Sequence, residues 1–335
     1  MGTVGIVVNP WAGKDVRRLH APVGHTPDTA KVGIVRRVAS AALEMGADRV
    51  VVARDTGRIG ERAVAGLAGV ELLDGPGTGS ALDTRRAAAQ FAELGCSVVV
   101  ALGGDGTCRD VAIGWRHAPL IAVSTGTNNV FPTMVDATSA GTAAGLVAAG
   151  IITPGPACSP AKVLDVTIES PNGSTARDMA LVDVALIDAA HTGARAVVTA
   201  DSIKAVVAAI AAPASTGMSS IAGRLHPLGR DEAGAVVVRL DERGRRRLRA
   251  PIMPGRFDTL TVACIAHIDD GQPVELEGPG VLAYDGERER RLPAGTRAIV
   301  TITRDGPMVI DVPATLACAA RHALFDDDPE AHDGR

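Results

Sequence analysis

Aromatic side chains are scarce in this chain: 2% of 335 residues, made up of two Trp, one Tyr and four Phe. That removes the stacking platforms on which single-stranded nucleic acids bind. A net charge of −4 likewise offers no basic face to a phosphate backbone, so no nucleic-acid partner is expected. The five cysteines, at 96, 108, 158, 264 and 318, are odd in number, far apart and without a CxxC pair. They predict neither a disulfide framework nor a zinc site, and fit reduced thiols in a cytoplasmic protein. No run reaches the roughly 18 apolar residues of a membrane span. The apolar stretch 1–8 is too short for a signal peptide and lacks a basic start. An amphipathic basic helix and a lipidation signal are missing too, so no stable membrane association is expected. Lysine occurs at 14, 31, 162 and 204, leaving most positive charge to arginine. With 46% hydrophobic and 21% charged residues the chain can bury sizeable cores. At about 150 residues per domain, its length suggests two of them.

What is present has a clear order. Through residue 153, short apolar runs alternate with segments of helical period. Strands are expected at 4–8, 49–53, 70–73, 97–102 and 120–123, and helices at 31–45, 57–68, 81–94, 107–115 and 139–149. This alternation implies βαβ units and a parallel sheet, whose ligands bind beyond the carboxyl ends of the strands. After Thr153-Pro-Gly-Pro156 the pattern changes. Strands expected at 163–168, 179–187, 235–240, 248–253, 259–265, 281–284 and 298–302 give a mostly antiparallel β region, with 201–211 as its clear helix. A last helix is expected at 314–324, placing Leu316, Ala319, Ala320 and Ala323 on one face turned back to the first domain. The acidic run 326–330 after it reads as a frayed tail. The expected divisions are 1–153, 154–312 and 313–335, with no internal repeat.

Three segments carry chemistry in the first half. Ala101-Leu-Gly-Gly-Asp-Gly-Thr107 sets three glycines around one carboxylate, directly after the apolar run 98–102. A strand that empties into glycines lets backbone N–H groups approach phosphate where the next helix starts. Asp105 can act there as a general base or hold a metal such as Mg²⁺. The plainer reading is an aspartate that caps the next helix. Ser124-Thr-Gly-Thr-Asn-Asn-Val-Phe-Pro132 leaves a neighbouring strand and offers Thr125, Gly126, Thr127, Asn128 and Asn129 to phosphate, ribose or base; alone it would read as a polar loop before a proline. Val8-Asn-Pro-Trp-Ala-Gly-Lys-Asp-Val-Arg-Arg18 is no P-loop, since Val8 stands at the first glycine and Asp15 follows the lysine. Asn9 could bond phosphate or the neighbouring loop, and Lys14, Arg17 and Arg18 could add charge. No G-x-G-x-x-G follows an expected strand.

The second half offers weaker signals. Tyr284-Asp-Gly-Glu-Arg288 reads either as a two-residue hairpin turn or as a carboxylate pair, Asp285 and Glu287, facing the first site across a cleft. His191-Thr-Gly-Ala-Arg195 could hold substrate through Thr192 and Arg195. Arg243-Gly-Arg-Arg-Arg247 reads as a solvated turn of a hairpin, with anion binding as the alternative.

Together these residues resemble the superfamily shared by NAD kinases and diacylglycerol or sphingosine kinases. Gly103-Gly-Asp-Gly-Thr107 matches its GGDGT signature, and Asn9-Pro10 with Gly13-Lys14 resembles its NPxxGK element. Residues 126–131 are similar to the lipid-kinase GTxNDF segment and Asp285-Gly286-Glu287 to the late DGE motif of that branch. The run 9–19 looks like an NAD-kinase-like branch associated with acetoin-catabolism clusters. The resemblance implies a two-domain NAD kinase-like fold, a parallel-sheet α/β domain followed by a β-rich one, with the site between them. It implies an ATP-dependent kinase using Mg²⁺, with Asp105 catalytic and Asn9, Gly103, Gly104, Gly106, Thr107 and residues 125–129 on the nucleotide. The acceptor it implies is a hydroxyl of NAD(H) or a related small metabolite, giving NADP in the first case.

NAD kinases grip the adenine-side ribose with an Asn-Glu/Asp pair and shape the nicotinamide side with TPTGSTAY. Here the matches are Val182-Asp183 and the segment 190–197, in which Asp183, Thr192, Gly193 and Ala196 agree while the Asn and Tyr are replaced. Losing an amide that reads a ribose hydroxyl costs selectivity. A lipid-type kinase, favoured by the 126–131 and 285–287 segments, is one alternative. A dinucleotide sensor on the same fold is another. A homo-oligomer is expected.

Overall fold

Valine-rich runs buried on both faces build the first sheet. The computed structural model describes residues 2–14, 26–126, 129–153, 158–189, 191 and 200–326. Its first half runs β1 (Thr3–Val8), α1 (Asp28–Glu44), β2 (Arg49–Val52), α2 (Ile59–Val64) and β3 (Val70–Leu72). It continues with α3 (Ala81–Glu93), β4 (Val98–Gly103), α4 (Asp105–Gly114), β5 (Pro119–Ser124) and α5 (Ala137–Ala148). Then follow β6 (Cys158–Pro160), β7 (Val163–Glu169), β8 (Thr175–Ala180), β9 (Asp183–Ile187), β10 (Ile203–Ala208) and α6 (Met218–Gly223). The last elements are β11 (Ala235–Leu240), β12 (Arg246–Met253), β13 (Arg256–Ile268), β14 (Pro273–Glu277) and β15 (Gly280–Tyr284), then β16 (Glu287–Leu292), β17 (Arg297–Thr303), β18 (Met308–Ile310) and α7 (Val312–Arg321).

The first sheet has the order β3-β2-β1-β4-β5-β18-β6. β1 to β5 pair in parallel, β18 joins β5 in parallel, and β6 closes the edge antiparallel to β18. Every residue of β1 and β4 is buried, as a parallel sheet covered on both faces demands. Val4, Ile6, Val98 and Val100 face α1 and α5. Val7, Val99 and Ala101 face α3 and α4, with Phe91 among them. A Cβ on Gly5 would stand 2.8 Å from the Phe91 ring, so glycine gives that ring its seat. β1 leads out toward β2 and β3 on one side and β4 toward β5 on the other. The sheet therefore reverses its winding between β1 and β4, and loops leaving that point diverge around a crevice.

The later strands form two antiparallel sheets, β12-β13-β11-β10-β9-β15-β16 and β14-β17-β7-β8. Leu164, Val166 and Val300 of the smaller sheet meet Val184, Val207 and Leu282 of the larger in one core. The larger sheet's other face packs on α6 through Val206, Val236 and Ile221. α7 starts at a cap in which Ala314 N–H donates to Asp311 Oδ1 at 2.7 Å, and lies on α5 through Ala319 against Leu146 and Ile152.

Three expectations are corrected here. The helix read at 201–211 is strand β10, paired with β9 and β11. Its alanines favour helix, but a run buried on both faces has no helical stripe to show, and Val206-Val207 settle it as a strand. The strand read at 179–187 is two strands in different sheets, broken at Leu181-Val182 where the chain passes from β8 to β9. The arginine-rich stretch 243–247 is not the turn of a hairpin: it lies between β11 and the start of β12, which do not pair with each other, because both pair with β13.

Candidate active site

β1 and β4 end side by side, with Val8 opposite Leu102, and the amide of Asn9 donates to Leu102 O at 2.9 Å. The Asn9 side chain then works at both ends. Its Oδ1 accepts the Trp11 N–H at 2.8 Å, an Asx turn, and its Nδ2 donates to Thr107 Oγ1 at 2.9 Å. Lys31 of α1, fully buried, donates to Pro10 O at 2.8 Å and to Asn9 O at 3.2 Å. Burial, helped by Lys14, pushes the Lys31 ammonium down to about 8. The turn that follows β1 is thus pinned from beneath.

The glycines after β4 serve space more than conformation. A Cβ on Gly103 would overlap the Thr107 hydroxyl, and one on Gly104 would stand 2.8 Å from Asn129 Oδ1. A Cβ on Gly126 would crowd the same Asn129 amide, whose Nδ2 donates to Ser124 Oγ at 2.6 Å. Asp105 is the first residue of α4, yet it does not cap that helix. Its Oδ1 accepts the amides of Val130 at 2.9 Å and Phe131 at 2.8 Å, beyond β5. The carboxylate, 8% exposed, therefore ties the second loop to the glycine loop. α4 begins at the cavity wall without a side-chain cap, so its positive end is open to an anion.

The larger antiparallel sheet supplies the opposite wall. β15 and β16 are joined by Asp285 and Gly286, both at positive φ (49° and 79°), the backbone of a primed two-residue turn. This hairpin turn also carries carboxylates into the cleft, because Asp285 and Glu287 line the same cavity as Asp105. Asp285 Oδ1 accepts the amides of Leu181 (3.0 Å), Val182 (2.7 Å) and Asp183 (3.2 Å), bracing the passage from β8 to β9. Burial pushes its carboxyl up, while Arg109 and these amides pull it down. Arg109 of α4, 2% exposed, crosses from the first sheet to the others. It donates to Glu289 and Asp178 at 2.6 Å each and to Met179 O, with its guanidinium 4.7 Å from the centre of the Tyr284 ring. Burial opposes its charge, but Glu289, Asp285 and Asp178 outweigh that and raise its pKa.

Between the walls lies a cavity of about 680 Å³. Its described lining sets Asp55, Asp83, Asp105, Asp110, Glu287, Glu289 and Asp285 against Lys14 and Arg54. A polyphosphate entering such a cavity must bring positive charge with it. Among the described residues no three His, Cys, Asp or Glu converge as a ready metal cage. Mg²⁺ keeps waters and substrate phosphates as ligands and takes one or two carboxylates from a protein. The Glu287 carboxyl carbon stands 3.9 Å from where a Cβ on Gly106 would sit, at the first turn of α4, and fits that part.

Asp110, one turn into α4, accepts a hydrogen bond from Arg85 Nε at 2.8 Å. Burial pushes its carboxyl up to about 6, against the pull of Arg85. In the unfolded chain the same group titrates near 3.9. Between about pH 4 and 6 the unfolded state has released this proton and the folded state holds it, so stability falls as pH rises through that window. Asp110→Asn is expected to flatten that fall by on the order of 2 kcal/mol, read by urea unfolding at pH 4.5 and 7.5. An unchanged pH slope would contradict it.

The structure thus brings Asn9, Gly104, Asp105, Gly106, Thr107, Gly126, Asn129, Asp285 and Glu287 to one cavity wall or another, while Gly103 ends β4 behind Thr107 and does not line the cavity. Thr125 is buried beside Gly103, its amide donating to Gly103 O at 3.0 Å. Asp183 lies off the main cavity, in a recess of about 20 Å³ that also touches Asp105 and Asp285. Thr127, Asn128, Thr192, Gly193, Arg195 and Ala196 lie outside the described residues, as do Arg17, Arg18 and the tail from 327. Sequence reading missed Lys31, Arg109, Asp110 and Glu289. Arg109 left a trace: it falls among Cys108, Val111 and Ala112 on a short helix with little exposed surface, where a lone charge is costly unless paired.

A doubly wound sheet with this crevice, joined to antiparallel β-sheets that close it, is the NAD kinase fold. The model of the ATP-NAD kinase N-terminal domain matches residues 4–151, and that of the acetoin catabolism protein X C-terminal domain matches 162–305. Yeast NADH kinase, solved in complex with NADH, has the same fold, with a TM-score of 0.56 over 98% of this chain and 89% of its own at 14% identity. Acetoin catabolism protein X of Cupriavidus necator is 37% identical over 342 residues, which cover 98% of this chain and 95% of that protein. The chain belongs to the acetoin catabolism protein X family.

Proposed function

We propose that this protein is a kinase that moves the γ-phosphoryl group of ATP to a hydroxyl of NAD(H) or of a related small metabolite. The observation that carries this reading is the placement of Asp105, a carboxylate at the open N-terminus of α4, in a crevice where the sheet reverses its winding. The amides of Val130 and Phe131 orient that carboxylate. As the acceptor oxygen bonds to the γ-phosphorus and the bond to the ADP oxygen breaks, the hydroxyl proton passes to Asp105. Asn9 fixes Thr107, whose hydroxyl and helix end take up phosphate oxygens. Mg²⁺ held through Glu287 would neutralise the phosphates within this acidic cavity. The acetoin link in the relative's name adds small hydroxy compounds and diols to the acceptors worth testing.

The test is phosphoryl transfer from ATP with Mg²⁺ to NAD, NADH, acetoin and small diols, followed by chromatography of the products. Formation of NADP, NADPH or a phosphorylated small acceptor is the expected result. Nucleotide binding without transfer to any acceptor would replace the kinase by a sensor on the kinase fold.

A further inference from the structure

One ring stands at the mouth of the cavity. Trp11 is the aromatic side chain among the described lining residues, and it is 59% exposed in a chain with two tryptophans. An indole left so open loses burial energy for the fold. Its backbone is nevertheless fixed. Asn9 Oδ1 accepts its N–H, Lys14 N–H donates to its carbonyl at 2.9 Å, and buried Lys31 holds the carbonyl of Pro10 before it. Gly79, at φ +74°, lies beside the ring: a Cβ there would stand 3.6 Å from the indole nitrogen, in ordinary contact. The Asn9 amide that fixes Trp11 also donates to Thr107, at the phosphate end of the crevice. One side chain thereby sets the spacing between an open aromatic face and the start of α4.

We infer that Trp11 is the platform on which the purine base of the bound nucleotide stacks, its phosphates running inward to α4. The inference rests on the kinase reading above and adds the seat of the base to it. Stacking on an aromatic face tolerates any base and contributes little to a ligand that has none. A purine could come from ATP or from the adenylate half of NAD, and the two are separated by the ligands used.

Wild type, Trp11→Ala and Trp11→Phe are titrated by calorimetry with Mg²⁺-ATP, NAD and Mg²⁺-tripolyphosphate, with thermal unfolding as a fold control. Trp11→Ala is expected to weaken ATP, NAD or both by about tenfold or more, with tripolyphosphate unchanged and Trp11→Phe near wild type. A loss for ATP alone assigns the platform to the donor, and a loss for NAD alone assigns it to the acceptor. Nucleotide affinity unaltered in Trp11→Ala would overturn the platform and leave the kinase reading standing. An equal loss for tripolyphosphate would overturn it too, because the turn rather than the ring would then matter. A wild-type protein that takes up none of the three ligands would sink both readings.

Discussion

Arg109→Ala is expected to destabilise the protein by about 3–5 kcal/mol, the largest loss of any single substitution at this site. Arg109 is the buried cation that answers three carboxylates drawn from different strands. Asp178 comes from β8, Asp285 from the turn after β15, and Glu289 from β16. Glu289 and Asp178 are mostly shielded from water, at 23% and 17% side-chain exposure, and cannot simply rehydrate in place. Removing the guanidinium leaves their charge uncompensated and also frees the Met179 carbonyl. Arg109→Lys would recover part of the charge but not the fork, because one ammonium cannot serve three directions with a planar set of donors. Adding Glu289→Gln to Arg109→Ala should return some of the loss, since the two residues share one network and their effects will not add. Urea unfolding of the four proteins decides it. A cost below about 1 kcal/mol for Arg109→Ala would mean that the network behaves as an exposed ion pair.

That clamp shows where sequence reading reaches and where it stops. The parallel sheet was legible because β1, β2 and β4 are compact valine-rich runs set between segments of helical period. The same logic failed at β10, where both faces are buried and period carries no information. It also failed at Leu181-Val182, because a run interrupted only by Asp183 gives no local mark of the step from one sheet to another. A carboxylate 103 residues on, Asp285 accepting the Val182 amide, helps to hold that step in place, with the Ala209 amide donating to Val182 O. β6 and β18, three residues each, are strands only by virtue of the neighbours they pair with. The glycine loop was legible as a site, but the reason for its glycines was not. Gly103, Gly104 and Gly126 admit the side chains of Thr107 and Asn129, which are tertiary contacts. The tie from Asp105 to the amides of Val130 and Phe131 joins loops 25 residues apart, beyond any local pattern.

Asp105→Asn is expected to lower phosphoryl transfer by about 10²- to 10⁴-fold while leaving the fold and nucleotide affinity close to wild type. An asparagine keeps the carbonyl oxygen that the amides of Val130 and Phe131 require, so the loop after β5 stays where it is. What it loses is the negative charge and the ability to take the acceptor's proton. Asp105→Ala removes the oxygen as well. It leaves two amides without their partner, one of them buried, at a cost of about 1–3 kcal/mol each in stability. The two variants therefore separate chemistry from architecture: both should be inactive, but only the alanine should unfold at lower urea. Transfer rates at saturating ATP, set beside the unfolding midpoints, give the comparison. If Asp105→Asn retained transfer within tenfold of wild type, Asp105 would be a loop clamp, and the proton acceptor would have to be sought among Asp110, Glu287 and Glu289 of the same cavity.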